Sequence, residues 1–234
     1  MATNRVTPRS RNLAHILLGA SILVGGGTLA APAALAETAG HSPLSAPSTE
    51  VVKTANVAKT PLELQAERLP KVTASQVLDI AARQIGISEN AQGGGTKFQS
   101  WYMSSPRARE TLARDGGNVA DYANAPWCAM FVSWVGDQAG IRPTMGWDAY
   151  TVAYAQWFKD NGHWGDVAKP GAVVFYDWQG GKDISGIDHV GFVKKDNGDG
   201  TISTIEGNTG NGKVEARVRP KSQVVGYGYP VYSG

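Results

Sequence analysis

Cys128 is the only cysteine in this chain. No intramolecular disulfide can staple the fold, so it must be held by its own apolar core. All seven tryptophans lie after residue 71, and the roughly 160 residues from there onward suffice for one domain with one core. The chain shows no internal repeat and no separate binding module.

The first residues set the compartment. Arg5, Arg9 and Arg11 precede an apolar run over 13–31 and a small-residue site at Ala34-Leu35-Ala36, the pattern of a secretory signal peptide, 1–36, cleaved after Ala36. Gly19 and the Gly25-Gly26-Gly27 triplet interrupt the run, which is short for a bilayer span, so no integral membrane anchor is expected after processing. No Arg-Arg pair is present, which favours the general secretory route. The expected location is secreted, extracellular or cell-wall associated. Residues 1–36 hold three of the 22 basic residues and none of the 20 acidic ones, taking the formal charge from +2 for the full chain to −1 for the mature one. Such a chain has no overall field to attract nucleic acid or an anionic membrane. Residues 37–71, rich in Ala, Ser, Thr and Pro, read as a flexible linker or spacer, which leaves 72–234 as the folded domain.

Local patterns order the elements. Thr73-Ala74-Ser75-Gln76 is a capping box, followed by Val77, Ile80, Ala81 and Ile85 at helical spacing and by Gly86 as a stop. Gly93-Gly94-Gly95 then leads to Phe98, Trp101 and Tyr102, and a polar loop over 115–125 delivers the chain to Cys128. A second helix is predicted over 127–139, with Met130, Phe131, Val132, Trp134 and Val135 so widely spread around it that it is buried. Cys128 falls in its first turn, where unpaired N–H groups and the positive end of the helix dipole favour a thiolate. A third helix is predicted over 150–161. The pattern then becomes extended in three runs, Ala172-Val173-Val174-Phe175-Tyr176, Asp188-His189-Val190-Gly191-Phe192-Val193 and Thr201-Ile202-Ser203-Thr204-Ile205-Glu206-Gly207-Asn208. Helices first and an antiparallel sheet after them make an α+β arrangement.

The last two runs are joined by Asp196-Asn197-Gly198-Asp199-Gly200, residues that accept positive φ, so they form a hairpin. A two-residue Asn197-Gly198 turn pairs Asp196 with Asp199 and sets His189 opposite Glu206 and Val190 opposite Ile205. His189, Gly191 and Val193 then share a face with Glu206, Thr204 and Ile202, and Asn208 lies on it too. The condition is the loop length. Five residues would shift the register by one and turn Glu206 away.

In an oxidising compartment a thiol without a partner is either small core filler or a nucleophile. His15 falls in the signal and His41 in the spacer, leaving His163 and His189 as bases. His189 has an acidic residue opposite it, whereas His163 sits in a glycine-flanked polar loop and is the competitor. In this scheme Cys128 attacks a carbonyl carbon, His189 takes the thiol proton and later gives it to the leaving amine, and Glu206 or Asn208 fixes the imidazole. The 196–200 segment lacks the spacing and closing Glu of a calcium loop, and one cysteine with two distant histidines matches no zinc pattern. No metal and no cofactor is expected.

These residues resemble the CHAP domain, the cysteine, histidine-dependent amidohydrolase/peptidase group of the NlpC/P60 superfamily. The resemblance covers 72–234. It rests on Trp127-Cys128-Ala129-Met130-Phe131-Val132, Asp188-His189-Val190-Gly191-Phe192-Val193 and Ile205-Glu206-Gly207-Asn208-Thr209 in that order, with Pro170-Gly171-Ala172-Val173-Val174 as a weaker match. It implies a papain-like cysteine peptidase fold, N-terminal helices packed on an antiparallel β-sheet. It further implies Cys128 as nucleophile, His189 as general base, Glu206 as the orienting residue and Asn208 as a further polar member. The substrate it implies is peptidoglycan, cut at an amide bond by an N-acetylmuramoyl-L-alanine amidase or an endopeptidase. An oxyanion hole would include the backbone N–H of Cys128, with Asn124 and Tyr122 as side-chain candidates. Trp127, Trp101 and Trp178 are candidates for a substrate groove. A monomer is expected, and an activator protein stays open as a partner. The alternative is a catalytically silent module that binds wall fragments or a division partner, with Cys128 kept for packing.

Overall fold

The computed structural model describes residues 58–234, so the expected signal peptide lies outside the described residues. Four short helices come first: α1 (Pro61–Ala66), α2 (Ala74–Ala82), α3 (Lys97–Ser104) and α4 (Pro106–Asp115). Each begins at a hydroxyl residue, Thr60, Thr73, Thr96 or Ser105, whose side chain accepts from a first-turn N–H. In the first three, Glu63, Gln76 and Gln99 reach back to close a capping box. After a 3₁₀ turn, Val119–Asn124, comes α5 (Cys128–Gln138), and it differs from these four in having no side-chain cap. The short α6 (Arg142–Met145) and α7 (Thr151–Asp160) complete the helices.

The first of these helices corrects the expected boundary at residue 72. α1 lies inside the stretch read as spacer, yet its Leu62 and Ala66 are buried and it packs against α6. Two apolar residues four apart make one helical face, too short a pattern to stand out in an Ala- and Pro-rich stretch.

Six strands follow: β1 (Trp164–Gly165), β2 (Val173–Tyr176), β3 (His189–Asp196), β4 (Thr201–Thr209), β5 (Lys213–Pro220) and β6 (Val224–Gly228). They form one antiparallel sheet in the order β1-β6-β2-β3-β4-β5. The α+β layout is the expected one, with twice the expected number of strands. Edge strand β5 alternates Lys213, Glu215, Arg217 and Arg219 with Val214, Ala216 and Val218, a period of two that the sequence reading passed over.

Packing explains why α5 is apolar on every side. Its Ala129, Met130, Phe131, Val132 and Val135 are buried in one cluster with Val173, Phe175, Val190, Phe192 and Ile205 of the sheet. Phe131 meets Phe98 and Phe192 edge-on, at 5.3 and 6.2 Å. Gly207 permits this approach, because a Cβ there would lie 2.6 Å from Phe131 Cβ. Val174, Tyr176, Val193, Ile202 and Tyr227 form a second cluster, the side-chain alternation placing it on the other face of the sheet.

The β3–β4 hairpin departs from the two-residue turn. Asp196 pairs with Ile202, so five residues, 197–201, form the connection. Asn197 N–H donates to Thr201 O at 3.1 Å, and Ser203 Oγ donates to Asn197 Oδ1 at 2.9 Å. Ile205 faces Phe192 and Thr204 faces Val193, so His189 is not opposite Glu206, nor Val190 opposite Ile205. The longer loop alone would turn Glu206 to the wrong face. A bulge between Val193 and Lys195 restores the parity.

Glu206 is thereby returned to the face of His189, but displaced along the strand and lying against Gly191. A Cβ on Gly191 would sit 2.6 Å from Glu206 Cγ and 3.0 Å from Ile205 O, so only a residue without a side chain lets the carboxylate cross to the histidine. Gly191→Ala is expected to destabilise the fold by about 1–3 kcal/mol, as overpacking does, and to push Glu206 away from His189. Urea denaturation and the imidazole NMR signals check this, and a variant with wild-type values in both would contradict it.

Candidate active site

His189 opens β3, where it pairs with Tyr176 of β2, and Cys128 opens α5. Both are buried, as is Glu206 on β4. His189 Nε2 lies 3.0 Å from Glu206 Oε2, and the Cys128 thiol is near enough to the imidazole to help raise its pKa. With Nε2 committed to Glu206, Nδ1 is the ring nitrogen that remains for the Cys128 sulfur.

Charge at this site is set by opposing effects. Burial would lower the pKa of His189, but hydrogen bonds with Cys128 and Glu206 outweigh it and carry the imidazole up to about 9. Burial would raise Glu206, but its hydrogen bonds with His189 and the Arg219 guanidinium hold it down at about 2. At neutral pH the pair is an imidazolium against a carboxylate.

Glu206 has further partners that the sequence reading missed. Arg219 of β5 grips it with Nε at 3.0 Å from Oε1 and Nη2 at 2.6 Å from Oε2, while Thr204 Oγ1 donates to Oε1 at 2.6 Å. Tyr176 OH donates to the same oxygen at 3.4 Å. Thr204 was legible as a residue on Glu206's face, but Arg219 lies on β5, one of the three strands that were not recognised. A second missed residue, the buried Gln99, donates to Gly93 O at 3.1 Å and Ala125 O at 3.0 Å. It ties down the chain that leads into Cys128, and its place as the third residue of a capping box was the available signal.

Of the groove candidates, Trp178 alone stands beside His189. It is 39% exposed, stacks on Tyr176 at 5.2 Å and faces the His189 ring at 5.2 Å. Trp127 is completely buried, stacks on Phe98 at 5.3 Å and donates Nε1–H to Glu89 Oε2 at 2.9 Å, so it belongs to the core and lines no groove. Trp101 bonds Asp137 at 3.0 Å, nine residues along α5 and so about 14 Å from Cys128. Both flank an apolar helix, and burying that helix takes them in with it.

The remaining candidates divide. A cavity of about 360 Å³ in front of Cys128 is lined by Tyr122, Pro126, Met130, Tyr150 and Asp188, among others. Tyr122 therefore reaches the site, although its hydroxyl is engaged with Thr111 Oγ1 at 2.8 Å. Asn124 does not line this cavity and packs against Gly94. Asn208 sits in a strand irregularity with φ of 53°, and among the described residues its side chain makes no hydrogen bond to His189. His163 follows α7 and has Thr60 Oγ1 at 3.5 Å from its Nε2, away from Cys128.

Residues 120–208 match the CHAP domain family. The matched stretch begins in the 3₁₀ turn before Cys128 and takes in His189 and Glu206, while Arg219 lies outside it. The chain is also similar, at 16% identity and a TM-score of 0.39, to a solved structure described as "The crystal structure of Ly7917 with the hydrolyzing product of MDP"; the likeness covers 68% of this chain and 63% of that one. No curated protein sequence matches the chain.

Proposed function

We propose that this protein is a secreted peptidoglycan hydrolase that cleaves amide bonds through Cys128. The observation that carries the reading is the buried Cys128–His189–Glu206 set inside the matched stretch. The His189 imidazolium already holds on Nδ1 the proton drawn from the Cys128 thiol, and its Nε2–H donates to Glu206, which stays ionised. Sulfur attacks the carbonyl carbon, the C–N bond breaks as His189 protonates the leaving amine, and a thioester remains. Water, deprotonated by His189, then releases the acid and regenerates the thiol. The uncapped start of α5 leaves first-turn N–H groups, that of Cys128 among them, for the oxyanion. Asp115 and Asp188 are the charged residues lining the cavity, which favours a stem peptide with a free amine over one crowded with carboxylates.

Incubation of purified peptidoglycan with the protein, followed by mass spectrometry of the fragments, tests this. New amino groups are expected, and blocking Cys128 with iodoacetamide beforehand should remove them. Release by the blocked protein would overturn the cysteine mechanism, and no release from walls of several chemotypes would overturn the substrate. The alkaline limb of kcat/KM should fall as pH rises through about 9, where His189 loses the proton that the leaving amine needs. A rate still rising at pH 10 would contradict that role.

A further inference from the structure

We propose that Arg219 is a positioning residue of this site, holding both carboxylate oxygens of Glu206 so that it stays ionised and aimed at His189. The proposal rests on the cysteine-hydrolase reading above. Arg219 belongs to edge strand β5, beyond the segment matched by the family, yet its side chain is turned inward and only 21% exposed. Its fork meets Glu206 through Nε and Nη2, and Nη2 also donates to Thr209 Oγ1 at 2.8 Å. The bidentate geometry fixes the plane of the carboxylate, a constraint one ammonium cannot reproduce.

The guanidinium has a second contact with the same site. Its carbon lies 4.8 Å from the centre of the Trp178 ring, and Trp178 faces His189. One side chain thus braces both the acid behind the imidazole and the aromatic wall beside it.

The groups around Glu206 show why Arg219 decides its charge. Tyr176 approaches from β2 with a hydroxyl, His189 from β3 and Thr204 from β4 itself, while Cys128 acts through His189 from α5. On β5, Glu215 stands across from Glu206 in register but is paired with Arg217. Arg219 is the permanently cationic partner bonded to Glu206. Without it the buried carboxyl takes up a proton at higher pH, and a protonated Glu206 no longer supports an imidazolium.

The test reads the alkylation rate of Cys128 by iodoacetamide from pH 3 to 9, together with kcat on peptidoglycan, in wild type, Arg219→Gln and Arg219→Lys. For Arg219→Gln the acid limb is expected to move up by about one pH unit or more, about a tenfold loss of rate on that limb, with kcat lowered more than KM is changed. Arg219→Lys should fall between the two. Superimposable pH profiles, even with a lowered melting temperature, would overturn the proposal by reducing Arg219 to a structural brace. If Arg219→Gln does not fold, the Lys variant decides, and a wild-type acid limb in it overturns the idea. His189→Ala run alongside separates the two levels, because alkylation indifferent to His189 would remove the hydrolase reading itself and the positioning role with it.

Discussion

Replacing Cys128 by Ala is expected to lower kcat for wall hydrolysis by at least about 10³-fold while leaving the protein folded. The sulfur is the chain's only thiol, and no serine or threonine hydroxyl is bonded to His189 Nδ1 among the described residues, so no neighbour can take its place. The structural cost is small. Cys128 is buried at the end of a helix whose packing is carried by Ala129, Met130, Phe131 and Val132, and loss of one sulfur costs about 1 kcal/mol, as for a buried methylene. His189 should respond as well, since the thiol is one of the hydrogen bonds that carry it up to about 9, and its pKa in the variant is expected to fall. Turnover and an NMR titration of the imidazole check both parts. Retention of a tenth of the wild-type rate would end the case for a thioester.

Glu206→Ala is expected to damage stability and activity together. The substitution strips Arg219, Thr204, Tyr176 and His189 of a common acceptor. Removing one side of a buried ion pair costs about 3–5 kcal/mol, or roughly 10 °C in melting temperature for a domain of this size. Hydrolysis should fall by about 10²-fold or more, because the imidazole loses the acceptor that orients it. Glu206→Gln separates the effects. Both carboxylate oxygens face Arg219 donors, so the amide must turn its NH₂ towards an N–H, and the variant should lose activity even where it keeps its volume. Thermal melts and kcat, measured side by side, check this, and a Gln variant with wild-type kcat would show that the charge is dispensable.

The same pair shapes stability against pH. Glu206 is lowered on folding, so its contribution is present above its ordinary value of 4.5 and is lost as pH falls through about 2. His189 is raised, so its contribution is full below 6.5 and is lost as pH rises through about 9. Their combined support is greatest between those ordinary values.

Much of the site was legible because its signals are local. The apolar belt of α5, the position of Cys128 in its first turn and the capping box of α2 each lie within about four residues, where helical geometry alone relates the side chains. Strand alternation likewise placed His189 and Gly191 on one face and Glu206 with Thr204 on another strand's matching face. The expected pairing of the two was wrong in register and right in face, since the five-residue loop shifted it and the bulge at Lys194 shifted it back.

What the amino-acid order alone establishes here is therefore the helix and strands that carry Cys128, His189 and Glu206, and the side of each strand on which its chemistry lies, because those follow from covalent spacing. The tertiary structure decided the rest: the bulge that returns Glu206 to His189, the bare Gly191 it crosses, the Arg219 that grips it from β5, and the burial of Trp127. Each depends on which distant strand or helix packs alongside, and no short stretch of sequence carries that information.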